Sequence, residues 1–267
     1  MHPTTNIAIR AARAGGRVLL KYFGRADVLT IQKKGRNDFV TEVDRGAEQA
    51  IIEVLHKAYP DHGILAEESG EQSGNDDYQW VIDPLDGTTN YLHGFPQFSV
   101  SIALKHKGVL KTGVVYDPLR DEIFTAHKGS GAFLNERRLR VTSRRGLDGA
   151  LIGTGFPYRD QRHIDAYLGM FKDLVLATAG LRRPGSAALD FAWVAAGRID
   201  GFWELGLSQW DFAAGALLVQ EAGGVVSDIA GGKRHLKTGN VVAGGLRVHQ
   251  ALLDTLKPHL SEPLKNG

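Results

Sequence analysis

The run Trp80-Val81-Ile82-Asp83-Pro84-Leu85-Asp86-Gly87-Thr88-Thr89-Asn90 constrains the fold more than any other segment. Its first three residues have the bulky apolar character of a buried strand, which delivers two carboxylates, Asp83 and Asp86, into a turn. Pro84 fixes φ and removes an amide donor, while Gly87 lets the backbone come close to a ligand. Thr88 and Thr89 read as the cap of a following helical turn, whose free N–H groups would face the side of the carboxylates. A strand end, two acids and a helix start must therefore meet, an arrangement suited to holding Mg²⁺ against a phosphate. Asp-Pro and Asp-Gly are also common turn dipeptides, so the pentapeptide alone would fit a plain surface turn.

The elements around this run follow from apolar spacing. A helix is expected over 6–23, with Ile7, Ala11, Ala14, Val18 and Tyr22 on one face. A polar, flexible connection over 33–38 leads to a second helix over 41–58, ended by Pro60. Short apolar runs at 64–66 and 80–82 read as strands. An antiparallel meander follows over 99–105, 112–116 and 122–126, then a strand over 132–134. After about residue 146, strands at 150–154, 200–204, 225–226 and 241–242 alternate with helices at 163–177, 186–196, 211–221 and 247–256. The expected division is an α+β half over 1–145 and an α/β half over 146–267.

Several chemistries are excluded. The 267 residues contain no cysteine, which removes disulfides, zinc–thiolate sites and thiol catalysis. No apolar run is long enough to span a bilayer and residues 1–6 lack a signal-peptide pattern, so a cytoplasmic location is expected. The histidines lack H-E-x-x-H spacing, and no G-x-S-x-G elbow or P-loop is present. A formal net charge of +2 gives no general mandate for nucleic acid. Arg137-Arg138-Leu139-Arg140 with Arg144-Arg145 is a local exception, either a solvated loop or a binding patch.

Further acids join the pair in the first run. Glu67-Glu68 follows the 64–66 strand, which puts a carboxylate at a strand end. Asp44 lies in the first turn of the second helix, where the dipole favours it. Asp211 follows Trp210 and opens a helix of small apolar residues, so it reads as an N-cap whose carboxylate needs a partner. Glu67, Asp83 and Asp86 would serve one ion. Asp86 would bridge to a second ion shared with Asp211, and the Leu85 carbonyl would add a neutral oxygen.

With these residues the chain resembles the inositol monophosphatase family of Mg²⁺-dependent, lithium-sensitive phosphatases. The first run matches one family motif. Trp210-Asp211-Phe212-Ala213-Ala214-Gly215, with Glu221-Ala222-Gly223-Gly224 after it, matches another; Glu67-Glu68-Ser69 and Gly185-Ser186-Ala187-Ala188 match in order and spacing. The resemblance implies a layered αβαβα sandwich with the active site between its halves. It assigns metal binding to Glu67, Asp83, Leu85, Asp86 and Asp211, and catalytic roles to Glu67, Thr88 and Asp44. It further implies substrate contacts from Asp86, Gly87, Thr88, Thr89, Arg182, Gly185, Ser186, Ala187, Glu204 and Asp211, with Lys33 approaching a further metal or the phosphate. The implied reaction is hydrolysis of a polyol phosphate monoester, inositol 1-phosphate first, through a water activated by two or three Mg²⁺ and without a phosphoenzyme. Sister fructose-bisphosphatases and bisphosphate nucleotidases tend to differ from this chain at 87–90, with D-G-S-S and D-G-T-K-E. A homodimer is implied as well. The bacterial branch that the chain resembles most includes an accessory factor of ribosomal RNA transcription antitermination, so a transcription elongation complex is an implied partner.

Overall fold

The computed structural model describes residues 2–25, 31–35, 38–157 and 161–266, and for 31–35, 38–41, 75–76 and 266 it describes the backbone alone. Helix α1 (Pro3–Tyr22) starts three residues earlier than the apolar spacing predicts. Pro3 stands in the first turn, where its missing N–H is no loss, and the His2 imidazole accepts from the Thr4 amide. The segment expected to be a flexible connection contains two strands, β1 (Ile31–Gly35) and β2 (Asp38–Thr41), paired antiparallel. Ladder bonds are made by backbone groups, so a polar sequence can still form them. Helix α2 (Glu42–Ala58) then packs against α1.

The first large sheet is built from β3 (His62–Ala66), β4 (Gly70–Gln72), β5 (Asn75–Asp86), β6 (Ser99–His106), β7 (Val109–Asp117), β8 (Glu122–His127), β9 (Gly131–Leu134) and β10 (Arg137–Arg138). A short helix, α3 (Thr88–Leu92), follows β5. The strand order is β10-β9-β8-β7-β6-β5-β3-β4, and only the β3–β5 pairing is parallel. Strand β5 is covered on both faces: Trp80 and Ile82 join the cluster under α1 and α2, whereas Val81 joins the cluster on the opposite side. Burial on both faces explains why the sequence there is a continuous apolar run rather than an alternation.

The second large sheet comprises β11 (Leu151–Thr154), β12 (Gly180–Arg182), β13 (Gly201–Glu204), β14 (Val225–Ser227) and β15 (Val241–Gly244), in the order β12-β11-β13-β15-β14. Its helices are α4 (Ile164–Ala177), α5 (Ala187–Ala195), α6 (Gln209–Glu221), α7 (His235–Thr238), α8 (Leu246–Leu256) and α9 (Glu262–Asn266). Helices α5 and α6 lie between the two sheets, and α6 is buried continuously from Asp211 to Val219. A helix enclosed by two sheets needs no polar face, which is why its sequence lacks amphipathic spacing. Gly215 permits the close approach, since a Cβ there would run into Phe191 of α5. Helices α4 and α8 cover the outer face of the second sheet. The layers are therefore α, β, α, β, α. Among the described residues no helix is long and apolar enough to cross a membrane.

Candidate active site

The acidic run is part of a strand, not a free turn. Strand β5 pairs with β6 at Asp83–Ser101 and again at Asp86–Ser99, so one extra residue is accommodated between them as a bulge. Pro84 fits this position because a bulged residue need not donate to the ladder. Asp83 Oδ1 accepts from the Leu85 amide at 2.9 Å, which tightens the bulge. Gly87, at φ 99°, is the N-cap of α3, and Thr88 is the first helical residue rather than the cap. The Thr88 hydroxyl lies 3.1 Å from the Leu85 carbonyl and 3.3 Å from Asp44 Oδ1, and its single proton can serve either.

Asp86 reaches across to the other sheet's helices. Its Oδ2 accepts from the Ser186 hydroxyl at 2.6 Å and from the Ala188 amide at 2.8 Å. Ser186 is the N-cap of α5 but makes no side-chain cap of its own. Asp86 thus caps α5 from a distant strand. Asp211 also differs from expectation. The N-cap of α6 is Ser208, and Asp211 is the third residue of a capping box, with Oδ2 accepting from the Ser208 amide at 2.7 Å. Two residues between cap and acid, Gln209 and Trp210, carry no capping signal, so the apolar run alone misplaces the helix start. Glu67 follows β3, and its amide donates to the Ile82 carbonyl at 3.1 Å, beside Asp83.

These acids face one another in a buried setting. Burial, then the negative charges of Glu67, Asp86 and Asp211, hold the Asp83 carboxyl well above the usual range. Asp86 is pushed up to about 7, first by burial and then by Asp211, against the opposing pull of its bonds to Ser186, Ala188 and Ala187. Among the described residues no group of three or more acidic or imidazole side chains stands as a finished metal-ligand set. The fit to a divalent cation lies in the chemistry: hard oxygen donors, buried, mutually repelling, several with one oxygen fixed by the protein.

One cleft of about 760 Å³ brings together Glu67, Asp83, Leu85, Asp86, Gly87, Thr88, Thr89, Gly185, Ser186, Ala187, Glu204 and Asp211. Asp44 stands behind it, in contact through Thr88. Arg182 does not line the cleft: it is exposed at the end of β12 and donates to the Leu181 carbonyl. Side chains alternate along a strand, and the next residue, Arg183, lines the cleft instead, with its guanidinium 5.2 Å from the Phe156 ring centre. The Lys33 side chain lies outside the described residues. In the basic cluster, Arg137 and Arg138 form the exposed edge strand β10, whereas Arg144 is paired with Asp200 at 3.1 Å.

The cleft residues that sequence reasoning did not single out include Asn90, Asp190 and Gly155. Asn90 donates from Nδ2 to the Gln97 and Pro184 carbonyls, both at 2.8 Å, and so ties α3 to the turn before α5. Asp190 is buried in α5 with Oδ1 lacking a hydrogen-bond partner, and burial together with Glu204 raises its pKa. Its one sequence signal is an acid inside an apolar helix. Gly155 abuts Glu204 so closely that a Cβ would fall on the carboxylate. Gly155→Ala should expel Glu204 from its place, raising KM for whatever substrate the cleft takes on the order of tenfold. Steady-state kinetics check this, and an unchanged KM would remove Glu204 from substrate contact.

The model of the inositol monophosphatase family matches residues 1–261. Nus factor SuhB of Pseudomonas aeruginosa is 57% identical over 270 residues, covering 99% of this chain and 100% of that protein. The extragenic suppressor protein suhB from Bartonella henselae superposes with a TM-score of 0.94 at 45% identity, covering 97% of this chain and 100% of that one. An inositol monophosphatase from Anabaena (Nostoc) sp. PCC 7120 superposes with a TM-score of 0.84 at 40% identity, over 96% and 95% of the two chains.

Proposed function

This chain belongs to the inositol monophosphatase family, and from that membership we propose that it is a Mg²⁺-dependent phosphatase of polyol phosphate monoesters, inositol 1-phosphate foremost. The observation that carries the proposal is the meeting of Asp83 with Glu67, Asp86 and Asp211 at the head of one cleft, where their negative charges act on one another. When bound, two or three Mg²⁺ would neutralise these acids and the phosphate and lower the pKa of water.

The remaining chemistry belongs to the chain. Thr88, its own proton directed to Asp44 or to the Leu85 carbonyl, offers a lone pair to one hydrogen of the attacking water. That aims the water's oxygen at phosphorus, and Glu67 takes the proton; as the new P–O bond forms, the P–O bond to the alcohol breaks, and the departing alkoxide takes a proton from solvent. The amides of Gly87 and Thr88, with Thr89, hold the phosphate oxygens. Glu204, the Gly185-Ser186-Ala187 turn and Arg183 orient the alcohol part, and the cleft volume suits a substituted six-membered ring. Monoester hydrolysis without a catalyst is among the slowest known reactions, so charge stabilisation must supply most of the acceleration. In this reading 1–145 and 146–267 act as two halves of a cytoplasmic homodimer's subunit, the first supplying Glu67, Asp83, Asp86 and the phosphate contacts at 87–89, the second Asp211 and the contacts to the alcohol part.

The test is phosphate release from inositol phosphates, fructose 1,6-bisphosphate, nucleotide bisphosphates and glycerol 2-phosphate, each with Mg²⁺ and with EDTA. The highest kcat/KM is expected for inositol 1-phosphate, with none of the activity left in EDTA. Equal rates with EDTA would sink the metal reading, and a preference for a nucleotide bisphosphate would move the chain to a sister activity.

A second reading rests on the Pseudomonas aeruginosa relative, a Nus factor by name. We propose that this chain also serves as an accessory factor in ribosomal RNA antitermination, with the exposed guanidiniums of Arg137, Arg138 and Arg140 as contact groups. Pull-down with transcription elongation factors should succeed equally for wild type and Asp86→Asn. Loss of capture with loss of catalysis would mean a single function.

A further inference from the structure

Helix α2 carries two buried acids one turn apart, Asp44 and Glu48, on a face otherwise made of Val43, Ala47, Ile51, Ile52 and Leu55. A buried carboxylate destabilises a fold unless polar partners receive it. Asp44 is met by the Thr88 hydroxyl at 3.3 Å. Glu48 is met by two successive backbone amides: Glu68 donates to Oε2 and Ser69 to Oε1, both at 2.9 Å. The preceding amide, that of Glu67, donates to the Ile82 carbonyl of β5. Three consecutive amides are thus fixed, the first by the strand bearing Asp83 and the next two by α2.

We propose that Glu48 is a positioning residue which, with Asp44 one turn away, makes α2 a ruler that sets the Glu67 carboxylate relative to the Thr88 hydroxyl. The inference rests on the reading of Glu67 as a cation ligand and of Thr88 as the group that orients water. Four residues of helix separate the two anchor points by about 6 Å along the axis. Helix α2 is stiff there because it is packed against α1 and β5. One carboxylate holding two adjacent amides prevents the segment after Glu67 from pivoting, which a single bond would allow. Removing the partner that orients a metal ligand typically weakens metal affinity without touching the ligand itself.

Glu48→Gln tests this, because the amide keeps one acceptor and turns an N–H toward the other backbone donor. Mn²⁺ binding is measured by calorimetry without substrate, and steady-state kinetics are measured across Mg²⁺ concentrations. The variant should fold, bind Mn²⁺ about 10- to 100-fold more weakly and need correspondingly more Mg²⁺ for half-activation. At saturating Mg²⁺ its KM for inositol 1-phosphate should stay near that of wild type. Glu53→Gln, on the exposed side of the same helix, should match wild type throughout. If Glu48→Gln does not fold, Glu48→Asp, which keeps the charge but is one methylene short, replaces it under the same expectations. Mn²⁺ affinity within twofold of wild type in the folded variant would overturn the ruler alone. A wild-type chain that binds no Mn²⁺ would overturn the metal reading and the ruler with it.

Discussion

Asp86→Asn should lower phosphate release by about a thousandfold or more while leaving the chain folded. The amide oxygen can still accept from Ser186 and Ala188, and asparagine caps a helix as well as aspartate does, so α5 keeps its cap. What disappears is one negative charge from a buried group of acids. In EDTA that loss relieves repulsion, so the variant should unfold at or above the wild-type temperature. The pH dependence follows from the same displacement. Asp86 moves from an ordinary 3.8 to about 7 on folding. A group raised in this way favours the folded state below its unfolded value and ceases to do so as pH rises through the folded one. Metal-free wild type should therefore lose stability between about 4 and about 7, and Asp86→Asn should lose less. Mg²⁺ should restore the wild type and not the variant. Thermal unfolding with Mg²⁺ and with EDTA across this range, run beside the phosphate assay, checks every part. Near-normal turnover by the variant would dispose of Asp86 as the bridging acid.

Gly87→Ala should destabilise the chain by about 2–5 kcal/mol, the sum of roughly 1–2 for an L-residue in left-handed backbone and roughly 1–3 for crowding. The backbone at Gly87 has φ 99°, and a Cβ there would stand 2.9 Å from the Gln97 carbonyl oxygen, 3.2 Å from that of Gly185 and 3.3 Å from Phe98 Cα. All three neighbours are backbone, so none can swing aside. Relief must come from moving the bulge away from the α5 turn, which separates Asp86 from Ser186 and shifts Thr88. Activity should accordingly fall further than stability does. Gly24→Ala provides the comparison, because Gly24 shares a positive φ of 77° but a methyl group there would meet none of the described residues within 4 Å; it should show the backbone contribution alone. Urea unfolding of both variants separates the two contributions. Equal losses at Gly24 and Gly87 would mean that the close approach at Gly87 carries no energy.

Much of this was legible in the sequence, and the misses have common causes. The outer helices α1 and α2 and the meander follow from apolar spacing, whereas the enclosed helix α6 is legible from its unbroken run of small and apolar residues. The short strands β4, β10 and β12 span two or three residues, too few for any period to register. The β1–β2 pair falls on and beside Lys33-Lys34-Gly35-Arg36-Asn37-Asp38, a run too polar to show an apolar strand period. At the site, Asp83, Asp86, Glu67 and Asp211 were readable because acids next to apolar strands and small helical residues need a reason to be there. Their local settings were not. The capping box at Ser208 and the capping of α5 by Asp86 depend on contacts over distance, the latter across 102 residues. Arg182 ends β12 and Arg183 follows it, and which of the two adjacent arginines turns into the cleft is invisible without the pairing register. Glu48 is hidden for a similar reason: an acid on a helix reads as solvated until its partners are known.

The central claim is that Glu67, Asp83, Asp86 and Asp211 together hold divalent cations. An anomalous difference map from crystals soaked in Mn²⁺ at a concentration that supports turnover tests it most directly. Peaks bounded by Glu67, Asp83 and Asp86, and by Asp86 and Asp211, are the predicted result. An active, Mn²⁺-saturated crystal with no peak among these four carboxylates would contradict it.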